Sequence, residues 1–351
     1  ATHTAFVAGV LRGLFQDWPD RYELVGISGS SGGAFNALAA WYGLVTADEE
    51  RAAALLGAVW DDLAADGLGD RVANDWVVGL SRLENMGVPV PEVSPYRSPG
   101  SEFGQRELRE TLERHIDFDE LPDLCGRRTP ELVVGTVDVN GGEFETFTNE
   151  AVTTEAVLAS AAVPNLFEAV DINGHSHWDG LFSQNPPIDD LLTVPADRKP
   201  EELWVIQINP QERAETPTSL AEIADRRNEL SGNISLNQEL RTVERVNQWI
   251  DEGHLPESDF SRTEITRLEM DGEYHCSTKL DRRPSFVEEL LERGAARAPE
   301  LFDERAAVAR GPRAPPPVSS APASSSRATR TPHPPAATLG PAAPARARLG
   351  P

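Results

Sequence analysis

Residues 23–37 of the chain read ELVGISGSSGGAFNA. The first six residues form a short apolar run that predicts a buried strand, and a helical pattern runs from about Gly33 to Leu44. The turn between them matches the pattern Gly-x-Ser-x-Gly, with Ser31 at its centre. It consists of Gly29, Ser30, Ser31, Gly32 and Gly33. This strand–turn–helix segment predicts an α/β fold and a serine nucleophile.

The turn suits a nucleophile because its small residues permit a strained backbone and the close approach of a substrate. The helix that follows would present the amide of Gly32, with its positive dipole end, where an oxyanion forms. Ser28 and Ser30 are rival nucleophiles, but neither has glycines at the required spacing. The alternative is a Gly/Ser-rich turn that only joins a strand to a helix.

Outward from this segment, predicted strands and helices alternate, which is typical of an α/β sheet covered by helices. Two short turns, Asn140-Gly141-Gly142 and Asn173-Gly174, predict hairpins. Helices are expected at 4–17, 33–44, 49–66, 102–116, 153–162 and 219–251, and strands at 23–28, 131–139, 143–148, 170–178 and 203–208.

The composition is that of a globular but strongly acidic chain. Its 351 residues carry 57 acidic and 32 basic side chains, a formal charge of −25, and only two of the basic residues are lysines. Such a charge disfavours nucleic acid as a partner. This negative charge either keeps the protein soluble or reflects adaptation to molar salt, where charges are screened within roughly 3 Å.

Three further features bear on location and organisation. The sequence has no apolar run of transmembrane length and no visible signal peptide, so a cytoplasmic protein is expected. Cys125 and Cys276 are too few for a disulfide scaffold. Residues 306–351 contain six arginines, no acidic residue and many prolines, which predicts a disordered tail. A frame-shifted or artificial end and a basic anchoring arm are the alternatives.

A serine nucleophile needs a base, and the sequence offers two kinds. None of the seven histidines lies in an obviously catalytic loop, and the pair His175 and His177 is better explained as one strand than as a metal site. Asp179 is the carboxylate candidate, because it ends a predicted strand and precedes Gly180. Ser31 follows only one predicted strand, which argues against the α/β-hydrolase fold.

Several segments together resemble the patatin-like phospholipases. Residues 27–37, ISGSSGGAFNA, are similar to the nucleophile segment of that family, and residues 159–167, ASAAVPNLF, to the segment before its catalytic aspartate. Asp179-Gly180-Leu181, followed by Asn185-Pro186, resembles its Asp-Gly-Gly/Ala motif. Gly9-Val10-Leu11 resembles the helix after its glycine-rich oxyanion loop. The resemblance covers roughly residues 1–210.

This resemblance implies a three-layer sandwich with a central, mostly parallel sheet, in one domain over residues 1–300. It also implies a lipid acyl hydrolase with a catalytic Ser31–Asp179 dyad, an acyl-enzyme, and neither cofactor nor metal. Polyhydroxyalkanoate depolymerisation by the same dyad and a catalytically silent binding protein are the alternatives. A lipid or other acyl ester is the expected partner, with transient contact to a membrane or granule surface. A carboxylate base further implies activity extending below pH 6.

The chain departs from the family pattern at three places. His3 and Thr4 stand where the oxyanion loop has its basic residue and its last glycine, so the rest of that loop is expected upstream of Ala1. Gly32 stands where alanine is usual, and Leu181 replaces the last residue of the aspartate motif. Residues 67–101 form an apolar insertion that either covers an acyl pocket or packs on the surface.

Overall fold

A computed structural model describes residues 2–65, 94–182, 184–256, 260–272, 274 and 276–302. The predicted tail (306–351), most of the insertion at 67–101, His275 and His333 lie outside the described residues. Within them, no helix is long and apolar enough to cross a membrane.

Ten α-helices are described, and the predicted helices are all present with shifts of a few residues at their ends. They are α1 (Thr4–Gln16), α2 (Gly32–Thr46), α3 (Glu49–Leu63), α4 (Pro99–His115), α5 (Leu121–Leu124), α6 (Thr154–Ser160), α7 (Asp189–Leu192), α8 (Leu220–Asp251), α9 (Pro284–Arg297) and α10 (Pro299–Phe302). Helix α9 was not predicted, although its apolar residues recur at helical spacing.

Seven strands are described, in a five-stranded sheet and a two-stranded sheet. The first holds β1 (Gly26–Gly29), β2 (Glu131–Asp138), β3 (Glu143–Thr148), β4 (Val170–Ile172) and β5 (His175–Asp179), and the second holds β6 (Glu202–Gln207) and β7 (Glu264–Glu269). Both predicted hairpins, β2–β3 and β4–β5, are confirmed as antiparallel pairs. The strand predicted at 23–28 is shorter than expected, and β7 was not predicted.

The expectation of a mostly parallel central sheet is wrong. Only β1 and β2 run parallel in the five-stranded sheet, whereas β2–β3, β2–β5 and β4–β5 are antiparallel. The physical reason is that short Asn-Gly turns, of four residues between β2 and β3 and two between β4 and β5, connect two of these pairs, and such a turn can only reverse a strand. The fold is α/β with a mixed sheet.

Strand β2 is the centre of this sheet, because three strands pair with it. Strand β3 pairs with residues 133–138 and so occupies most of one edge of β2. The opposite edge is shared by β1, which pairs with residues 131–134, and β5, which pairs with residues 136–138. Because β1 is parallel and β5 antiparallel to β2, their carboxyl ends point at each other along that edge.

The main hydrophobic core joins α1, α2, α3 and α9 to this sheet. Helix α1 approaches α9 closely at two glycines. A Cβ atom on Gly9 would lie 2.1 Å from the carbonyl oxygen of Leu291, and one on Gly294 would lie 2.1 Å from that of Phe6. Any larger residue would therefore separate the helices. The start of α1 also lies beside α2, which begins next to the predicted nucleophile, because Asn36 Nδ2 donates to the carbonyl oxygen of Thr4 at 2.8 Å.

Candidate active site

Ser31 occupies the turn between β1 and α2 with a strained backbone. Its φ is 58° and its ψ is −134°, a conformation that non-glycine residues rarely adopt. A Cβ atom on Gly29 would lie 2.2 Å from the carbonyl oxygen of Gly33, so the turn closes only because residue 29 is glycine. The structure thus forms the sharp strand–turn–helix connection that the sequence predicts.

The Ser31 backbone is held in place by Ser160, at the end of α6. The Ser31 amide donates to both the carbonyl oxygen and Oγ of Ser160, each at 3.0 Å. Ser160 in turn donates its hydroxyl to the carbonyl oxygen of Gly135 on β2, at 2.7 Å. These bonds tie the strained turn to the central strand. The amide of Ser31 is thereby occupied.

The rival serines have structural positions. Ser30 is 6% exposed, and its hydroxyl donates to the carbonyl oxygen of Gln184 at 2.9 Å. The same hydroxyl oxygen is closely enclosed by two glycines. A Cβ atom on Gly135 would lie 2.9 Å from it, and one on Gly180 would lie 2.8 Å from it. Ser28 lies within β1 and pairs with Val133. Neither serine shares the strained conformation of Ser31.

Asp179 is the last residue of β5 and is completely buried. Its amide donates to the carbonyl oxygen of Ala162 at 3.1 Å, and its Oδ1 accepts from the Leu181 amide at 2.8 Å. Its Oδ2 has no hydrogen-bond partner of standard geometry among the described residues. Burial raises the pKa of Asp179 to about 6, against the opposing effect of the Leu181 amide and the Ser31 hydroxyl.

Ser31 and Asp179 meet because β1 and β5 end against each other on β2. Gly29, two residues before Ser31, pairs with Val134, and Asp179 pairs with Thr136. The Ser31 side chain interacts with the Asp179 carboxylate and favours its charged form. Catalytic hydrogen bonds are often long or misaligned before a substrate binds, which fits the unpartnered Oδ2.

Gly180 is required because the chain that leaves β5 passes close to the backbone of β2. A Cβ atom on Gly180 would lie 2.4 Å from the carbonyl oxygen of Gly135. The neighbouring Leu181 replaces the small residue of the family motif without loss of the turn, because its amide still binds Asp179. Gly180 therefore lets the chain leave β5 without displacing the carboxylate.

Gly32, the predicted oxyanion donor, is the first residue of α2. As the first residue of α2 its amide has no acceptor within the helix, and it donates to no other group in the described part of the chain. Thr4 lies directly against it, since a Cβ atom on Gly32 would come within 2.1 Å of Thr4 Oγ1. A free amide at a helix N-terminus favours negative charge.

His3 does not provide the positive charge of the family's basic residue. It is 3% exposed, its Nε2 lies 2.8 Å from Oγ1 of Thr278, and burial together with the nearby Lys279 lowers its pKa to about 3. His3 is therefore neutral at neutral pH. The N-terminus of α2 contributes a positive dipole end beside Gly32.

The other described histidines are engaged elsewhere. His177 is buried, with Nε2 2.7 Å from a Glu145 carboxylate oxygen and Nδ1 3.0 Å from the carbonyl oxygen of His175. His175 contacts Asp138, and His115 contacts Asp62. No three metal-binding side chains cluster within the described residues. His254 contacts Glu252, and Asp179 is the candidate base that lies beside Ser31.

Ser31, Gly32 and Asp179 line one cavity of about 1540 Å³. Much of the described wall is apolar and suits an acyl chain. Apolar side chains along it include Val7, Leu11, Leu14, Phe15, Leu166 and Phe167.

Some residues of this site were not assigned a role from the sequence. Ser160 falls in the segment that resembles the family, but its bonds to Ser31 and Gly135 depend on the packing of α6 against β2. Gln207 and Asn233 also line the cavity. They come from β6 and from α8, and no local sequence signal marks them.

A family model described as patatin-like phospholipase matches residues 1–192, which is more than half of the chain. Among solved structures, the chain is similar to the crystal structure of VipD from Legionella pneumophila, at 14% identity and a TM-score of 0.40. The alignment covers 86% of this chain and 65% of the VipD chain, so this chain spans less than two thirds of the length of VipD. A comparison with curated proteins found no match.

Proposed function

The chain belongs to the patatin-like phospholipase family, and on that premise we propose that it hydrolyses acyl esters of lipids with Ser31 as nucleophile and Asp179 as base. The observation that carries this proposal is the opposition of β1 and β5 on β2, which places a strained serine beside a buried carboxylate. The apolar cavity at the same point supports a lipid acyl chain, for which each buried methylene contributes about 0.8 kcal/mol.

In the first half of the reaction, Ser31 Oγ attacks the ester carbonyl carbon and its proton passes to the Asp179 carboxylate. The carbonyl oxygen becomes an oxyanion beside the Gly32 amide, which stabilises it. When the tetrahedral intermediate collapses, the bond to the alcohol oxygen breaks and Asp179 returns the proton to that oxygen. An acyl-Ser31 ester and the free alcohol result.

In the second half, water replaces the alcohol. Asp179 takes a proton from the water as its oxygen attacks the acyl carbonyl, and the Gly32 amide again lies beside the oxyanion. Collapse returns the proton to Ser31 Oγ and releases the carboxylic acid. Because the raised pKa of Asp179 is close to neutrality, this carboxylate is a better proton acceptor than an exposed aspartate.

A fluorophosphonate probe tests the proposal directly. Such probes phosphonylate activated serines, so peptide mapping of the labelled protein should find the modification on Ser31. Modification of another serine, or no modification of the folded protein under conditions where an ester is hydrolysed, would contradict the assignment.

The pH profile should differ from that of an ordinary carboxylate base. We expect kcat/KM for a neutral ester to rise with pH through about 6 and to level off above it, because Asp179 must be ionised to accept a proton and burial holds its pKa at about 6. A profile that stays flat down to pH 4.5, measured on protein shown to be folded, would contradict it.

The acidic composition leads to a prediction about salt. With a formal charge of −25, repulsion should destabilise the folded chain in dilute buffer, and molar KCl should raise its melting temperature by several degrees through screening. An uncharged osmolyte at equal osmolality is the control for excluded-solute effects. A melting temperature that is unchanged in KCl would contradict adaptation to high salt.

A further inference from the structure

Helix α8 carries apolar side chains on two opposite faces. One face is buried, where Leu236, Leu240 and Val243 pack against β6. The opposite face, which we call the outer face of α8, is exposed to solvent. Four large apolar side chains on it form a row, because they are three, seven and four residues apart along the helix. They are Leu220, Ile223, Leu230 and Ile234, between 38 and 81% exposed. An exposed apolar row of this length indicates an interaction surface.

The charge on the outer face is opposite in sign to that of the whole chain. Arg227 and Arg241 are exposed in line with the apolar row. Within the described part of the chain, neither guanidinium group has a hydrogen-bond or ion-pair partner. Both are therefore available to a negatively charged group that approaches this face.

Acidic side chains are kept off the outer face, although the chain contains 57 of them. None of the exposed side chains described for residues 220–242 is acidic. The acidic residues of this stretch have partners on the protein side of the helix or at its start. They are Asp225 and Glu229 with Lys279, Glu239 with the Ile188 amide, and Glu222 in the capping box with Ser219.

The outer face adjoins the turn that follows Asp179. Leu181, whose amide donates to Asp179 Oδ1, packs on α8 at Gly232, which lies between Leu230 and Ile234 along the helix. A Cβ atom on Gly232 would lie 3.0 Å from Leu181 Cδ1. A partner that contacts the outer face is therefore close to the turn that holds the proposed base.

A second copy of the chain is a poor partner for this face. In a symmetric dimer the same surface meets itself, so each copy would bring its arginines against a face that has no exposed carboxylate between residues 220 and 242. Guanidinium groups buried without a counter-charge destabilise an interface.

A phospholipid surface supplies both kinds of group that the outer face requires. Apolar side chains of a helix that lies on a membrane enter the boundary between headgroups and acyl chains, at a depth of roughly 5–10 Å. Lipid phosphates accept hydrogen bonds from arginine, often two at once. Because the chain carries a charge of −25, an anionic surface would repel the rest of the protein, whereas zwitterionic lipids offer phosphate without a net charge.

We propose that the outer face of α8 docks the protein on the surface of zwitterionic phospholipid membranes. The apolar row inserts among the lipids, and Arg227 and Arg241 bind their phosphates. Given the lipid hydrolysis proposed above, docking on this face brings the Ser31–Asp179 site to its substrate, although binding to the membrane requires no catalysis.

Flotation with vesicles of dioleoylphosphatidylcholine measures the docking. The full chain carries Ser31→Ala, so that the lipid stays intact, and circular dichroism confirms that each variant is folded. Protein with an unchanged outer face should float with the vesicles. Leu230→Ser combined with Ile234→Ser should lower the partition coefficient at least about 10-fold, because two exposed apolar side chains no longer leave water on binding.

Matched controls separate the outer face from general surface properties. Phe144→Ser removes an apolar side chain that is 56% exposed on β3, in the other sheet, and should change the partition coefficient less than 2-fold. Ile223→Glu places a charge in the apolar row and should lower it as much as the double change, which covers the case in which the double variant does not fold.

The arginines are tested in the same way. Arg227→Gln combined with Arg241→Gln should lower the partition coefficient about 5-fold, because glutamine keeps a polar side chain but loses the charge that attracts phosphate. Arg51→Gln, a change of an exposed arginine on α3, should alter it less than 2-fold.

Hydrolysis by protein with Ser31 intact distinguishes docking from catalysis. The change of Leu230 and Ile234 to serine should lower the rate on phosphatidylcholine vesicles about 10-fold and alter turnover of soluble p-nitrophenyl acetate less than 2-fold. Vesicle binding through this face without hydrolysis of any ester would contradict the proposed function and leave the docking surface intact.

Four results would overturn the docking surface. They are no binding of the folded protein to phosphatidylcholine vesicles, binding that the Leu230 and Ile234 changes leave unaltered, stronger binding to phosphatidylglycerol vesicles than to phosphatidylcholine vesicles, and a dimer in light scattering that the same changes convert to a monomer. The last result would assign the face to a second copy of the chain.

Discussion

Ser31→Ala should abolish ester hydrolysis, with a fall in kcat of at least about 10⁴-fold, and should prevent fluorophosphonate labelling. Without Oγ the protein has no nucleophile and can form no acyl-enzyme. The Gly32 amide then has no oxyanion from an enzyme-bound intermediate to stabilise. The fold should survive, because the turn is held by backbone bonds from Ser31 to Ser160 rather than by the Ser31 hydroxyl. Turnover of a short p-nitrophenyl ester measures the effect.

Ser30→Ala is the matched control for this change. It deletes a neighbouring hydroxyl whose hydrogen bond to Gln184 is structural, so it should cost about 1 kcal/mol of stability but keep labelling and most of the turnover. Full labelling of Ser31→Ala would move the nucleophile to Ser28 or Ser30. Such a result would also leave the strained conformation of Ser31 without a function.

Asp179→Asn should lower kcat by about 10²- to 10⁴-fold while leaving Ser31 in place. Asparagine keeps the size of the side chain and can still accept from the Leu181 amide through Oδ1, but it cannot take the proton of Ser31. Removal of His175, His177, His254 or His275 should have a much smaller effect, because the dyad transfers no proton through imidazole. A histidine variant as inactive as Asp179→Asn, yet folded, would contradict the dyad.

The same substitution should stabilise the protein at neutral pH. Below pH 4 the Asp179 carboxyl holds its proton in both the folded and the unfolded chain, so its ionisation has no effect on stability. Between pH 4 and 6 the unfolded chain ionises first, and stability falls as pH rises. Above pH 6 the buried charge costs roughly 3 kcal/mol, which the neutral asparagine avoids.

Melting temperatures of wild type and Asp179→Asn at pH 5 and pH 8 measure this effect. The variant should gain most at pH 8, and Asp171→Asn, an exposed change on β4, should show no such pH dependence. A variant that is inactive and less stable at both pH values would indicate a structural role for Asp179 rather than a catalytic one.

The sequence alone singled out the two candidate residues, Ser31 and Asp179, but not their setting. Ser31 was marked by glycines at fixed spacing between a strand and a helix, and Asp179 by its place before Gly180 and by resemblance to the family. The glycine spacing around Ser31 and the Asp179-Gly180 pair are local signals, so they can be recognised without knowledge of the fold. The sequence does not reveal the acidity of Asp179, because complete burial is a property of the packed protein and raises the pKa of this carboxyl group.

The local elements were likewise determined by the sequence. The helical period of residues 4–17 and the Asn-Gly turns at 140–142 and 173–174 depend on neighbours within a few residues, and the structure contains the corresponding helix and hairpins. Strand direction in the sheet does not follow from such signals. The sheet expected to be mostly parallel is mixed, because β3 and β5 each follow a hairpin.

Only the tertiary structure decided how the site is assembled. Strands β1 and β5 share one edge of β2 and end against each other, and this pairing between distant segments brings Ser31 to Asp179. The same is true of Ser160, which holds the nucleophile turn, and of Gln207 with Asn233, which hydrogen-bond to each other on the cavity wall. Their side chains are ordinary in the sequence, since hydrogen bonds between residues far apart along the chain leave no local pattern from which they could be predicted.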